Sequence, residues 1–291
     1  MTALQQIHEI PPAPARPAGA HKGTFGTVIV VGGSATMPGA PALCAAGALR
    51  SGVGLVKVAV PASIVQTVIA IEPSATAIAL GDDADSAVAL LDQADPAGRA
   101  VLAVGPGWGA APSLRELLDK LLVGRRAIVL DADGLNMLAQ CGRPRPPGPS
   151  LVMTPHPGEF RRLADALGIQ ADAADPKSRP NAAARLAMGH QAVVVLKGQY
   201  TVVSDGHRYR VNATGNPALA TAGMGDVLTG VVAALCATGQ APFEAAVLGA
   251  HLHGLAADLW SAEHGSSGLR AQDLSGRLPD AFQRHRQTGS V

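Results

Sequence analysis

Thr27-Val-Ile-Val-Val-Gly-Gly-Ser34 is the segment from which the fold is read. Its five-residue run is β-branched and uninterrupted by polar side chains beyond Val28, and it stops at two glycines. A strand exposed on one face would alternate apolar and polar residues. An unbroken apolar run is the signature of a strand covered on both faces, as in a parallel sheet. The same signal recurs at Leu55–Val60, Ala100–Val104, Ala127–Leu130, Leu151–Thr154 and Ala192–Leu196, each run ending near Gly, Pro or Asp. Ala/Leu-rich segments of helical length lie between them, at Pro41–Ser51, Ser113–Leu122, Gly158–Leu167 and Asn181–Met188. Strand–helix–strand repetition of this kind implies right-handed crossovers and a three-layer α/β/α sandwich around a mostly parallel sheet. Open sheets of that class bind ligand outside the carboxyl ends of their strands, so the residues closing each run are the ones to examine.

The pattern changes after Leu196. Tyr200–Ser204 and His207–Val211 flank Asp205-Gly206, a strong hairpin signal. A Gly-rich loop, Gly215–Gly225, precedes a long helix expected over Asp226–Ala237, and a second helix is expected over Phe243–Trp260. Pro11, Pro12, Pro14 and Pro17 make residues 1–22 an expected tail without regular structure, leaving 23–291 as one catalytic domain. A lead of 22 residues is expected to leave no room for a second enzyme domain before it. Residues 141–150 read as a loop.

Composition narrows the function. With 23 basic and 22 acidic residues among 291, the net charge is +1, and aromatics are 3%. A duplex-binding surface needs cationic excess and single-strand binding needs stacking platforms, so neither nucleic-acid class is expected. The 34 glycines follow no three-residue period, which excludes collagen, and 47% hydrophobic residues exclude wholesale disorder. Cys44, Cys141 and Cys236 are odd in number and far apart. They fit a reducing compartment and neither a disulfide framework nor a metal site. The longest stretch without Lys, Arg, Asp or Glu, Gly23–Leu49, carries glycines and prolines and reads as strand, loop and helix, not a membrane span.

The sharpest local feature is Ala222-Gly-Met-Gly-Asp226, followed by Val-Leu-Thr-Gly-Val-Val-Ala-Ala-Leu235. Gly223 and Gly225 permit a tight turn and close approach of a ligand. The first N–H groups of the following helix would point into that loop and form an anion site. Asp226 is either an N-cap or a general base beside this hole. Asp131 and Asp133 end a strand, where they suit an oxygen-liganded cation, although Asp133 could equally cap a helix beginning near Leu135. Lys197 ends another strand, either to neutralise phosphate or as a solvated surface residue. His251 and His253 are two residues apart on a helix, so they face different directions and read as packing residues.

With these segments side by side, the chain resembles the NAD(P)H-hydrate dehydratases of the ribokinase-like superfamily. The resemblance is carried by His21-Lys-Gly23, Gly32-Gly-Ser34 with Pro38-Gly-Ala-Pro41, Gly105-Pro-Gly107, Asp131-Ala-Asp-Gly-Leu-Asn136 and Thr154-Pro-His-Pro-Gly-Glu-Phe160. Leu196-Lys-Gly198, Gly215-Asn-Pro217 and Gly223-Met-Gly-Asp-Val-Leu228 complete it. The family usually has Thr where this chain has Met224, a side chain that need not contact ligand. The resemblance implies a lyase that uses ADP or ATP to dehydrate the S-form of hydrated NADH or NADPH, by phosphorylating the ring hydroxyl and eliminating phosphate. It implies catalysis by Asp226 with Gly223 and Gly225, and substrate contacts at Ala40, Gly107, His156 and Asp226. It implies nucleotide contacts at Lys197, Gly198, Gln199, Tyr200, Thr201, Asn216 and Gly225, and Mg2+ held through water at Glu159. It further implies a cytoplasmic homotetramer that works beside a separate epimerase, with no nucleic-acid or membrane partner. The alternative is a ribokinase-like vitamin kinase acting on a small alcohol such as a thiazole or pyrimidine.

Overall fold

The computed structural model describes residues 4–142 and 148–288. One ten-stranded sheet runs through it. A two-residue strand β1, Gln5–Gln6, comes first. Then β2 (Thr27–Val31), α1 (Gly39–Arg50), β3 (Leu55–Pro61), α2 (Val65–Ile71), β4 (Thr76–Leu80) and α3 (Ala84–Ala94) fill one half of the sheet and its flanks. The chain returns through β5 (Val101–Val104), α4 (Pro112–Leu122), β6 (Ile128–Leu130), α5 (Ala132–Gln140), β7 (Leu151–Met153), α6 (Pro157–Ala166), α7 (Arg179–His190) and β8 (Val193–Leu196). A hairpin, β9 (Val202–Ser204) and β10 (Arg208–Val211), is followed by three helices, α8 (Met224–Ala237), α9 (Pro242–His264) and α10 (Ala271–Thr288). The spatial order is β1-β10-β9-β8-β7-β6-β5-β2-β3-β4. Strands β2 to β8 are parallel, and β9 and β10 are antiparallel additions. The expected mostly parallel sandwich and the expected hairpin are both present. The expected loop over 141–150 lies, for residues 143–147, outside the described residues.

Two-residue side-chain periodicity divides each strand between two cores. Ile29, Val31, Leu102, Val104, Ile128 and Leu130 pack against α3 to α7, while Val28, Val30, Val58, Val101, Ala103 and Val129 face α1, α8 and α9. The outer face of α8 and α9 is covered in turn by α10. Helix α8 is therefore enclosed on all sides, which explains its run of apolar residues from Val227 to Leu235. It also meets α1 backbone to backbone. A Cβ on Gly230 would strike the Cys44 carbonyl, and one on Gly47 would strike the Val227 carbonyl. This contact fixes where α8 begins.

Strand order reverses between β2 and β5. That is the topological switch point, where an open α/β sheet carries its ligand crevice. The loops leaving these strands, Gly32-Gly-Ser34 and Gly105-Pro-Gly107, meet there, with Gly33 N donating to Pro106 O at 2.8 Å.

The N-terminal segment departs from expectation in part. Its prolines do keep most of it irregular, but Gln5 and Gln6 pair with Arg208 and Tyr209 and cover the sheet edge. Further along, the Pro11 carbonyl contacts His285 Nε2 at 3.0 Å, and the Pro12 carbonyl accepts from Gln240 at 2.7 Å. The segment is a strap across the body. His21 likewise serves the fold, capping the turn Lys22–Phe25 at the amino end of β2, away from the switch point. No helix among the described residues is long and apolar enough to cross a membrane.

Candidate active site

Consecutive strand ends deliver the polar groups. Asp131 follows β6, His156 and Glu159 follow β7, and Lys197 follows β8. Asp131 is the N-terminal boundary residue of α5 but makes no capping bond with its side chain. Its carboxylate turns inward, where it is 1% exposed. Lys197 Nζ donates to Asp131 Oδ1 at 2.7 Å and lies 3.9 Å from Glu159 Oε2. Burial alone would lower the lysine pKa, but the surrounding carboxylates, Asp131 foremost, hold it above the ordinary value. Lys197 is thus neither a solvated surface residue nor a free cation. It is the centre of an acidic cluster, its backbone N–H tied to Pro155 O at 2.8 Å.

His156 caps α6. Its Nδ1 accepts from Gly158 N at 2.9 Å, and Glu159 Oε2 returns the favour by accepting from His156 N at 2.8 Å, completing a capping box. With Nδ1 accepting, the neutral ring carries its proton on Nε2, 3.4 Å from Glu159 Oε1. Burial and then the charge of Lys197 push the His156 pKa down. Glu159 is 5% exposed, and burial drives its carboxyl up to about 7 despite Lys197.

The N-terminus of α8 completes the set. The helix starts at Met224, with Gly223 in the left-handed region (φ 86°) as its N-cap. Asp226 therefore does not open the helix and is not its cap; it is the third residue of the first turn. Capping would have consumed its carboxylate on the backbone, whereas here the group is half-buried and remains in the cluster. Burial first, and then the charge of Asp131, raise its pKa to about 7. The first intrahelical acceptor is Gly223 O, bonded to Val227 N at 3.2 Å, so the N–H groups of Met224, Gly225 and Asp226 precede the ladder. Gly225 sits over the lysine: a Cβ there would lie 3.2 Å from Lys197 Nζ and 3.4 Å from Asp131 Oδ2. Below it, Thr229 Oγ1 is 2.8 Å from Asp131 Oδ2 and 3.0 Å from Gly225 O.

Other expected residues divide clearly. Asp133 caps nothing; its Oδ2 accepts from Gly109 N at 2.8 Å, tying the loop after β5 to α5. Ala40 and Gly107 come together, since a Cβ on Gly107 (φ 62°) would lie 2.8 Å from Ala40 Cβ. Ser34 Oγ, sheltered at this crevice, has no hydrogen-bond partner within the described residues. Gly198, Gln199, Tyr200 and Thr201 form the turn leaving β8, with Tyr200 at φ 55° and exposed, and Thr201 Oγ1 donating to Gly198 O at 2.9 Å. Asn216 is engaged by the fold, with one Nδ2 hydrogen left over. Its Nδ2 donates to Asp258 at 2.8 Å and its Oδ1 accepts from Ser261 at 3.0 Å, anchoring the Gly-rich loop to α9. A separate cleft of 380 Å³, lined in part by Leu167, Ile169, Arg185 and Met188, shares no residue with this set.

The chemistry of the donor set bears on a cation. Three carboxylates, Asp131, Glu159 and Asp226, act on one ammonium, and Asp133 acts on Asp226 in turn, an acidic excess that suits a hard divalent ion. Yet among the described residues no three His, Cys, Asp or Glu side chains converge tightly enough to hold a metal directly. The fit is to an ion that keeps its water and takes further oxygens from a ligand.

The chain is similar to known proteins over most of its length. A family model described as NAD(P)H-hydrate dehydratase matches residues 28–280. The chain is 43% identical over 283 residues to the Bifunctional NAD(P)H-hydrate repair enzyme Nnr of Moorella thermoacetica, covering 91% of this chain and 51% of that protein. It is 36% identical over 273 residues to the ADP-dependent (S)-NAD(P)H-hydrate dehydratase of Bacillus subtilis, covering 93% and 94% respectively. The chain thus spans about half the length of the bifunctional relative and nearly all of the monofunctional one. The crystal structure of the ADP/ATP-dependent NAD(P)H-hydrate dehydratase from Bacillus subtilis, co-crystallised with ATP/Mg2+, matches with a TM-score of 0.79 and 33% identity over 94% of both chains. A ribokinase-like superfamily protein from Enterococcus faecalis, 23% identical with a TM-score of 0.79 over 98% of this chain and 97% of that one, shares the fold.

Proposed function

Because the chain belongs to the NAD(P)H-hydrate dehydratase family, we propose that it is an ADP- or ATP-dependent (S)-NAD(P)H-hydrate dehydratase, a hydro-lyase that restores hydrated NADH and NADPH. The observation that carries this reading is the half-buried Asp226, set in the first turn of α8 with a carboxyl pushed up to about 7. A carboxylate poised there is matched to taking a proton from an alcohol near neutral pH.

The nucleotide lies along the turn from Lys197 to Thr201, and the hydrated dinucleotide occupies the crevice at Ala40, Gly107 and His156. Asp226 accepts the ring hydroxyl proton as that oxygen bonds to the terminal phosphorus and the bridging P–O bond of the nucleotide breaks. The N–H groups that precede the α8 ladder, Gly225 among them, face the charge on the transferring phosphoryl group. The C–O bond then breaks with phosphate as leaving group, pushed by the ring nitrogen lone pair. Loss of a proton from the neighbouring ring carbon restores the dihydronicotinamide. Glu159, with Asp131 and Asp133 nearby, would hold Mg2+ through water, and the ion supplies charge neutralisation for the polyphosphate. Asn216 supports this site indirectly, by holding the loop that presents Gly223.

The same reading takes 23–291 as the catalytic unit, with the N-terminal strap as an accessory. It includes a homotetramer, a separate epimerase that delivers the S form, and a reducing, cytoplasmic setting consistent with three cysteines that form no disulfide among the described residues. The vitamin-kinase alternative is not favoured, because the family match covers most of the chain. The test is to mix the protein with hydrated NADH, Mg2+ and either ADP or ATP and follow absorbance at 340 nm. Nucleotide-dependent recovery is expected. No recovery, together with phosphate-ester formation from a thiazole or pyrimidine alcohol, would overturn the reading.

A further inference from the structure

His253 is buried in the middle of α9, among alanine, glycine and leucine neighbours. Its Nε2 lies 2.9 Å from the carbonyl oxygen of Met224. A carbonyl can only accept, so the ring is the Nε2–H tautomer and donates. Inside α8 that carbonyl is already the acceptor position for the N–H four residues on. The histidine is therefore not needed to satisfy it, and burying an imidazole to make a second bond carries a desolvation cost. The contact satisfies the buried Nε2–H of the ring, but the carbonyl itself does not require it, so what the histidine adds is a second hold on that carbonyl.

The Met224–Gly225 peptide is planar and trans, so its carbonyl and the Gly225 N–H point in opposite directions. Whatever holds the carbonyl aims the N–H. This peptide turns about Met224 ψ and Gly225 φ, and Gly225 has no Cβ to restrict it on that side. The Met224 side chain is itself buried in the outer core, with Val227 and Leu274, and does not enter the loop. We propose that His253 is a positioning residue: by fastening the Met224 carbonyl, it directs the Gly225 N–H toward the transferring phosphoryl group. The role rests on the function proposed above, and it reaches the reaction through a peptide plane without touching substrate.

The experiment compares His253→Leu, which fills the volume without a donor, with His253→Gln, whose amide can reach the same carbonyl. The Leu variant is expected to lose about 10- to 100-fold in kcat, part of what removing one oxyanion-hole donor costs. Its KM for hydrated NADH should be unchanged, and the Gln variant should recover most of the loss. Equal activity in both variants and wild type, or equal loss in both, overturns the proposal. Two readouts are independent of turnover. Long-range ¹H–¹⁵N spectra of the wild-type imidazole should show the Nε2–H tautomer, and an Nδ1–H tautomer overturns the proposal even if neither variant folds. The Gly225 amide resonance should shift on adding ADP with Mg2+ in wild type and Gln but not in Leu. A wild-type enzyme inactive on hydrated NADH would sink the assigned reaction while these spectra still decide how Gly225 is aimed.

Discussion

Lys197 and Asp131, 66 residues apart in sequence, close to 2.7 Å beneath the first turn of α8. The ammonium that would meet phosphate is already paired with a carboxylate that is almost fully enclosed. Removing one partner of such a pair strands the other charge, at a cost of about 3 kcal/mol or more. Lys197→Met should therefore lower the urea midpoint clearly and weaken ADP titration. Pairing it with Asp131→Asn should restore much of the stability and none of the affinity. A single variant as stable as wild type would show that the pair is not coupled to the fold.

The same pairing leaves the site with an excess of carboxylates over cations. Polyphosphate entering it meets repulsion unless a divalent ion comes with it. Calorimetric titration of ADP in EDTA should give an affinity about tenfold weaker than in Mg2+, a modest share of the Coulomb energy between charges in a partly solvated site. Equal affinities would mean that the chain's own cations suffice.

Asp226 and Glu159 are both raised to about 7, each chiefly by burial. A base works deprotonated, so kcat/KM should fall about tenfold per pH unit as pH drops below 7. Asp226→Asn should bind nucleotide, keep the fold and lose about 10²- to 10⁴-fold in turnover, the usual contribution of a general base. Glu159→Gln should leave an acid limb in the profile. Folding stability responds to pH in the opposite sense. Carboxyls whose folded pKa is raised favour the fold below their unfolded values, near 4, and that contribution is lost as pH rises through about 7. Glu159→Gln, which retains an oxygen to cap His156, should show a smaller fall in Tm between pH 5 and pH 8 than wild type.

Much of this arrangement was legible in the sequence, because buried parallel strands announce themselves. The runs at Thr27, Leu55, Ala100, Ala127, Leu151 and Ala192 all became strands, and the glycines and acids closing them do gather at one edge. What was illegible lay where burial is weak or pairing is distant. Strand β4, Thr-Ala-Ile-Ala-Leu, is an edge strand with largely exposed side chains, and its alanines carry little strand propensity. Helix α10 contains Pro279 in its interior and is mostly polar, so it reads as broken. Lys197 could not be told from a surface lysine because its partner arrives from β6. His253 read as packing because two-residue spacing says nothing about a carbonyl on another helix. Asp226 read as a possible cap because the loop was expected to run to Gly225, whereas the helix begins at Met224 behind Gly223.

Gly223 and Gly225 separate conformational need from proximity to ligand. Gly223 has φ 86°, and a Cβ there would lie 2.7 Å from Leu43 Cδ1 and 3.0 Å from Ala271 Cβ. Gly223→Ala must carry left-handed strain of about 1–2 kcal/mol as well as that crowding, so it should lower Tm. Gly225 is helical, and its added Cβ would press only on Lys197 Nζ at 3.2 Å, the mobile end of a side chain, and on Asp131 Oδ2 at 3.4 Å. Gly225→Ala should therefore fold with nearly wild-type Tm, aided by alanine's better helix propensity. Its methyl group would nevertheless crowd the ammonium, a contact relieved by a small shift that keeps the pair with Asp131, and intrude where the phosphoryl group must approach, so turnover at 340 nm should fall while thermal stability holds. If Gly225→Ala lost stability and activity in proportion, Gly225 would be a packing residue and the close approach of ligand to its backbone would not be what the glycine is for.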